Sequence, residues 1–562
     1  MKVFYLDCSG SFWVEVASRL QKESGWEPIY WVASPRLESE VKARFPSAIF
    51  HSELDAVRSI PASELAGTQT PPLDATLLEE LAECEVAALH MMDRMDGGGT
   101  FLHRERVRLY HRLLRYWLGV LRTYQPDLAV FVTAPHAIYD YVLFELCKVL
   151  GIKTAMFETT MAYGLIYPVA DFRQHPELIN NYHKILSAYN GGEVRLSPAG
   201  EEYLRKLSGP HKQMPKYLLH AGAKALIEKI PRPAEGEIAS DSGLHPYVKW
   251  GKTCLSKLRS SIKDSFLLPA SRPPPNYVKK AGKRPEESPM TGREYRVFRR
   301  SSLKKVRQLE HFYHQRVHPV DLTRPYIYFA LNYQPERTTS PLGGVFVDQY
   351  LMIELIAKSL PKGWRLYVKE HPTQFYSGRA FRAQSTRDEA FYTDITSLEQ
   401  VSLVPMSESP VALIDSAQAV AAVGGTTGWQ AINRGKPVFV SGYPWYLGCE
   451  GVFHVQTQAS CQETFDKIVA GYTVDRTKLR LFLQALEKTS VVAYIDPTYK
   501  DAYDRDGTVS ITEEANVRAL VGRLQSFIAS QSQIQENGET HPLPDTSCAG
   551  LAPDFATPKP RR

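Results

Sequence analysis

Pro126-Asp127-Leu128-Ala129-Val130-Phe131-Val132-Thr133-Ala134-Pro135-His136 opens the most legible unit of the chain. Residues 128–132 are apolar without alternation, the pattern of a strand buried on both faces. Residues 139–150 then show helical spacing and end at Gly151, a residue suited to a left-handed cap. Lys153-Thr154-Ala155-Met156-Phe157 is the next strand and leaves at Glu158-Thr159-Thr160. Strand, helix, strand on this scale predicts a parallel sheet covered by helices. Ligands of such sheets gather at the carboxyl ends of the strands, where His136 and Glu158 fall.

The same rhythm extends outward. Residues 3–6 form an apolar run that ends at Asp7-Cys8-Ser9-Gly10, a helical pattern follows through Leu20, and Ile29-Tyr30-Trp31-Val32-Ala33 is a second strand. Residues 76–92 and 103–124 read as helices, separated by Asp93-Arg94-Met95-Asp96-Gly97-Gly98-Gly99, where three glycines break the helix. A second α/β unit begins at Tyr326-Ile327-Tyr328-Phe329-Ala330-Leu331. It continues with a helix over 348–360, strands over 365–369, 401–404 and 419–423, a helix from Trp429 to Arg434, and a strand over 437–440. Residues 476–489 and 511–530 read as terminal helices, and from about 531 onward Gln, Ser, Pro and Thr predict disorder.

Composition limits the remaining classes. The 562 residues are 43% hydrophobic and 23% charged, which excludes a wholly disordered, collagenous or disulfide-scaffold chain. Seven cysteines, none in a C-x-x-C pair, argue against a zinc ribbon and for a reducing cytoplasm. Asp7 interrupts any signal-peptide core, and no run of about 18 apolar residues exists to span a membrane. The net charge of +6 is unevenly placed. Residues 252–310 hold 16 Lys and Arg against 5 Asp and Glu, a local +11 that leaves the rest of the chain at −5. That segment reads as a solvated linker or as a contact surface for anionic lipid at the inner membrane or for a polyanionic glycan. No recognition helix or RNP-type motif points to nucleic acid.

Three loops carry chemistry. Gly424-Gly425-Thr426-Thr427-Gly428 follows a strand and opens a helix, so its backbone N–H groups and threonine hydroxyls suit a phosphate. It is neither a Walker A loop nor G-x-G-x-x-G. Lys369-Glu370-His371-Pro372 follows another strand; His-Pro occurs five times here, but His371 alone stands at the exit of a clear strand of the second unit. Its imidazole can donate to a leaving phosphate, with Lys369 adding charge. The polar run after the first strand of this unit places Gln334, Glu336 and Arg337 towards a cleft. In the first unit Asp7, Asp93, Asp96, Glu158 and His136 are candidates for the base that deprotonates an acceptor hydroxyl, with Asp96 and His136 foremost. No D-x-D and no His/Cys cluster has metal-ligand spacing, so no metal is expected.

Taken together, Tyr333-Gln334-Pro335-Glu336-Arg337-Thr338-Thr339, Tyr367-Val368-Lys369-Glu370-His371-Pro372 and Gly425-Thr426-Thr427-Gly428-Trp429-Gln430-Ala431 with Gly435-Lys436-Pro437-Val438 resemble bacterial capsular and surface polysaccharide biosynthesis proteins, a group that includes the capsule Kdo transferases. The resemblance spans roughly residues 1–200 and 320–490. It implies an α/β fold of GT-B type: two Rossmann-like domains facing a cleft, with a basic insertion between them. The implied division is an acceptor-side domain over 1–204, the basic Pro-rich insertion over 205–320, a nucleotide-sugar domain over 321–490, terminal helices over 491–530 and a tail over 531–562. It further implies a metal-independent glycosyltransferase with no cofactor, which takes a sugar nucleotide, CMP-linked sugars favoured, to a glycan or lipid-linked acceptor. His371, Thr426 and Thr427 would hold the donor phosphate, with Lys369, Glu370, Gly428, Gln334, Glu336 and Arg337 around it. The alternatives are a CDP-polyol-phosphate transferase of the same architecture and a non-catalytic scaffold for glycan assembly.

Overall fold

The computed structural model describes residues 1–65, 67, 70–96, 101–160, 162–209, 292–375, 386–506 and 509–536. Gly97-Gly98-Gly99, the basic stretch 252–291 and residues 537–562 of the expected tail lie outside the described residues.

Two sheets organise the chain. The first contains β1 (Lys2–Leu6), β2 (Glu27–Ala33), β3 (Ile49–Ser52), β4 (Leu128–Phe131), β5 (Lys153–Thr159) and β6 (Leu165–Val169). The second contains β7 (Tyr326–Ala330), β8 (Arg365–Lys369), β9 (Val401–Leu403), β10 (Ala419–Ala422), β11 (Val438–Val440) and β12 (Val452–His454). A last short strand, β13 (Val491–Val492), returns to the first sheet. The second sheet runs β12-β11-β10-β7-β8-β9 and is parallel throughout. Counted from its own first strand, this is the Rossmann order 3-2-1-4-5-6. The first sheet runs β13-β6-β5-β4-β1-β2-β3, the same order with β6 reversed against β5 and β13 added beyond it, antiparallel to β6. The expected pair of Rossmann-like domains is therefore present.

The central strands form because their side chains are buried on both faces. Every residue of β4, β7 and β10 is buried. Each such Val, Leu or Phe removes apolar surface from water, worth about 1.5–3 kcal/mol per side chain. Gly151 takes φ 68, as its position after the 139–150 helix predicts. The register then fixes where the chain leaves each sheet. Leu6 lies opposite Phe131, so Asp7 and Val132 exit side by side where the order reverses between β1 and β4. Phe329 lies opposite Ala421, so the loops beginning at Leu331 and Val423 exit together between β7 and β10. Both reversal points open on one cleft.

Two segments distribute differently from the sequence reading. The helix Gly292–His314 packs on the second sheet through Val306, Leu309 and Tyr313, and the Tyr313 hydroxyl donates to the Val404 carbonyl at 2.6 Å. The C-terminal half thus includes chain upstream of residue 321. The helix was hard to see because its exposed face is crowded with Lys and Arg. Residues 491–530 are not a separate appendage. β13 pairs with β6, the helix Glu513–Glu536 packs on the helix Phe12–Ser24, and Trp13 Nε1 donates to the Ile495 carbonyl at 3.0 Å.

Candidate active site

The exit loops of both sheets line a cleft of about 750 Å³. Asp7, Glu53, Thr133, His136 and Tyr139 come from the N-terminal half; Asn332, Glu336, Arg337, His371, Thr426 and Thr427 come from the C-terminal half. Asp496 and Tyr499, contributed by the returning chain, complete the N-terminal wall.

On the C-terminal wall, Gly425 turns the chain at φ 87 and the helix Thr426–Asn433 begins three residues earlier than the apolar pattern predicts. No described side chain caps it, so its first-turn N–H groups are an anion site beside the Thr426 and Thr427 hydroxyls. Gly428 has a different task from the one expected. A Cβ there would collide with the Tyr446 hydroxyl and press on Val438, so Gly428 lets the helix pack closely on β11 and does not line the cleft. Tyr446 in turn donates to the Gly425 carbonyl at 2.6 Å and braces the loop.

His371 lines the same wall. Its Nδ1 accepts the Thr373 backbone N–H at 3.1 Å. A backbone N–H can only donate, so a neutral ring carries its proton on Nε2, the nitrogen that can donate to an oxyanion. Its backbone N–H donates to Glu370 Oε1 at 2.6 Å.

Glu370, Gln334 and Lys369 lie behind this wall rather than on it. Glu370 is 1% exposed; Arg387 Nε reaches its Oε2 at 3.1 Å and the Tyr392 hydroxyl donates to the same oxygen at 2.7 Å. Arg387 also donates to Gln334 Oε1, which accepts from Gln349 Nε2 at 3.0 Å as well. Gln349 Oε1 then accepts the Asn332 backbone N–H at 2.8 Å. This buried network ties the loops after β7 and β8 together and holds Asn332 and His371 in place. Lys369 is 3% exposed, and burial pushes its ammonium down to about 8. The strand over 365–369 was legible; the depth of Lys369 and Glu370 was not.

Arg337 reaches across the cleft. Its guanidinium donates to the hydroxyls of Thr133 and Thr159 in the N-terminal half, and it faces Glu158. Burial raises the Glu158 carboxyl to about 7 in spite of that partner. Arg94 makes a second bridge, donating to the His136 and Ser340 carbonyls, both at 2.6 Å.

On the N-terminal wall, His136 Nδ1 lies 3.0 Å from the Ala134 carbonyl. A carbonyl can only accept, so the proton is on Nδ1 and a neutral ring presents Nε2 as an acceptor. The two cleft histidines are thus held in opposite tautomers. Asp140 shapes the His136 loop by accepting the backbone N–H groups of His136, Ala137 and Tyr141 at 2.7–3.0 Å. Burial raises its carboxyl to about 6 against those three donors. Asp96 is elsewhere: it is 4% exposed, ion-paired to Arg106 at 2.9 Å, and not among the lining residues. Asp93 shares the same guanidinium at 2.6 Å. The Gly run that made Asp96 attractive says nothing of Arg106, which arrives from the next helix.

Lining residues that the sequence did not single out as site residues include Glu53, Arg94, Tyr139, Asn332 and Asp496. Asn332 Nδ2 donates to the Gly424 carbonyl at 3.0 Å, and its buried Oδ1 has no hydrogen-bond partner. Among the described residues no His, Cys, Asp and Glu group has the form of a metal site, and no helix is long and apolar enough to cross a membrane. The five described cysteines are buried and unpaired.

Among solved structures, the chain is similar to the UDP-GlcNAc 2-epimerase of Neisseria meningitidis bound to UDP-GlcNAc, at 12% identity over 95% of this chain and 100% of that one, with a TM-score of 0.18. It is similar to Thermosulfurimonas dismutans KpsC, a beta Kdo 2,7 transferase, at 14% identity over 40% of this chain and 61% of that one, with a TM-score of 0.21. It is also similar to the spinosyn rhamnosyltransferase SpnG complexed with spinosyn aglycone, at 11% identity over 89% and 99%, with a TM-score of 0.21. At scores this low the likenesses carry no weight beside the strand orders of the two sheets. No curated protein sequence matches the chain. Over residues 337–470, the stretch that holds His371, Thr426 and Thr427, the chain matches the family of capsule polysaccharide biosynthesis proteins.

Proposed function

We propose that the protein is a glycosyltransferase of capsular or surface polysaccharide assembly, moving a sugar from a sugar nucleotide to a glycan or lipid-linked acceptor. The observation that carries the reading is the pair of opposed walls. One offers an uncapped helix N-terminus with Thr426 and Thr427 and the Nε2–H of His371; the other offers His136 with an acceptor nitrogen. In a single displacement the acceptor oxygen bonds to the anomeric carbon as the bond from that carbon to the nucleotide phosphate breaks. His136 Nε2 takes the acceptor proton, and the departing phosphate oxygen is met by His371 and the helix N–H groups. Donors already fixed in place cost no reorganisation at that moment, which is where most of the rate arises. Asp96, held by Arg106, is the weaker candidate for the base.

Incubation with CMP-, CDP-, UDP- and GDP-activated donors and a glycan acceptor tests this. Release of free nucleotide with a new glycosidic linkage supports the reading, and we favour the CMP-linked donor. A phosphodiester product assigns the chain to polyol-phosphate transfer. Absence of release with every donor leaves the scaffold reading, with the Lys/Arg-rich 252–310 segment as its attachment to the inner membrane.

A further inference from the structure

We infer that Asp140 is the positioning residue for His136, an internal anion at the helix start whose counterpart in the C-terminal half is left for the donor phosphate. The inference rests on the transferase reading above and adds a residue that acts through the proposed base. Strands β1–β6 and β7–β12 follow the same order in their two sheets. The helix after β4, Tyr139–Val149, is therefore the counterpart of the helix after β10, Thr426–Asn433. In both, the residue just before the helix has a positive φ, 72 at Ile138 and 87 at Gly425. The two starts differ in what meets their N–H groups. No described side chain caps the helix at Thr426. At the other start the N–H groups of His136, Ala137 and Tyr141 converge on the Asp140 carboxylate at 3.0, 2.7 and 2.7 Å. Backbone N–H groups gathered in this way form an anion nest, and here the chain fills it with its own carboxylate.

The backbone wound around that carboxylate is strained. Ile138 has ψ −63, and the Tyr139 N–H donates to the Ala137 carbonyl at 2.9 Å. This is a γ-turn of the rare, strained form, centred on a β-branched residue. Such strain persists only where the surrounding contacts over-determine it. Asp140, 3% exposed, ties the chain on both sides of the turn. His136 is gripped as a result. Its N–H donates to Asp140 Oδ2, its carbonyl accepts from Arg94 at 2.6 Å, and its Nδ1 donates to the Ala134 carbonyl at 3.0 Å. These anchors fix the backbone and the ring together, and with them the place of Nε2.

The two carboxylate oxygens divide the work. Oδ1 accepts from Ala137 and Tyr141, and Oδ2 accepts from His136. Asp140→Asn therefore keeps an acceptor for the helix side and sets an NH2 group against the His136 N–H, where two donors cannot bond. Asp140→Ala removes the anion altogether and leaves a space of carboxylate size lined by three N–H groups.

The test has two arms on the full chain. The first is thermal melting in about 100 mM sodium formate against the same concentration of sodium chloride. Formate raises the melting temperature of Asp140→Ala by about 2 °C or more and leaves the wild type unchanged. The second is turnover of the wild type, Asp140→Asn, His136→Gln and the double variant, each first shown to be folded by its melt. Asp140→Asn lowers kcat by about ten-fold or more when His136 is present, and by less than about two-fold in the His136→Gln background. A merely structural role lowers kcat equally in both backgrounds, and that result overturns the inference. So does full turnover of Asp140→Asn, or a formate effect that is the same in Asp140→Ala and the wild type. If no donor supports turnover, the proposed function fails, and the formate arm alone decides whether Asp140 is the internal anion.

Discussion

His371→Ala separates catalysis from folding more sharply than any other single change. The imidazole supplies one hydrogen-bond donor to the departing phosphate, and removing one such preorganised donor lowers turnover by about 10²–10³-fold, or about 2.7–4 kcal/mol of barrier. The structural loss is smaller. The side chain's contributions to the fold include the Nδ1 acceptor for the Thr373 N–H, worth about 0.5–1.5 kcal/mol net, and a ring contact with Tyr333 at 6.2 Å between centroids. The loop keeps its other anchors, because the His371 N–H still donates to Glu370 and Pro372 still fixes the backbone. A domain with about 5–15 kcal/mol of stability therefore stays folded. The assay pairs initial rates at saturating donor with urea unfolding of the same preparations. The account requires kcat to fall, and kcat/KM to fall further because the bound donor phosphate loses the same contact, while the unfolding midpoint moves little. Turnover within threefold of wild type, in a variant that still binds donor, removes His371 from the mechanism.

Other substitutions test the neighbouring assignments. Asp96→Ala leaves the Arg106 guanidinium with one carboxylate fewer in a buried setting, so it lowers stability by about 2 kcal/mol or more while the folded fraction retains its turnover; a folded, fully stable and inactive variant would restore Asp96 as the base. Gly428→Ala destabilises by about 1–3 kcal/mol through the clash with Tyr446, and the double variant with Tyr446→Phe recovers part of that loss; no effect in a urea melt contradicts the packing assignment. Glu158 has a folded-state value of about 7 against 4.5 for an ordinary glutamate. The folded chain therefore holds a proton that the unfolded chain has lost, and stability falls as pH rises from about 4.5 to 7. Glu158→Gln should flatten that slope and gain about 1 kcal/mol or more at pH 8; equal slopes for wild type and variant from pH 5 to 8 refute it.

The strands that decide the fold were legible because they are continuous apolar runs. Residues 128–132, 326–331 and 419–423 needed no partner to be recognised. β3, β12 and β13 were not, because Ile49–Ser52, Val452–His454 and Val491–Val492 are too short or too mixed to stand apart from loops. Gly292–His314 was hidden for a different reason: its buried stripe is narrow beside its many Lys and Arg residues. The cleft shows the same division. His136, His371, Thr426 and Thr427 could be named because each follows a clear strand, and the carboxyl end of a strand is a local property. Burial depth is not local. Glu370 and Lys369 adjoin His371 in sequence but face a buried arginine and a dry interior that other elements supply. Glu53 and Asp496 meet Asp7 only because β3 and the returning chain bring them there.

The central claim is that the C-terminal wall holds the phosphate of a sugar nucleotide. Thermal unfolding of the full chain and of His371→Ala, each with CMP-, CDP-, UDP- and GDP-linked sugars in turn, tests it most directly. At ligand about 100-fold above Kd the stabilisation is about 2.7 kcal/mol, a rise of several degrees in Tm. The account predicts that rise for at least one nucleotide class, with a clear reduction in His371→Ala at the same concentration. No rise with any of the four, or an undiminished rise in the variant, would contradict it.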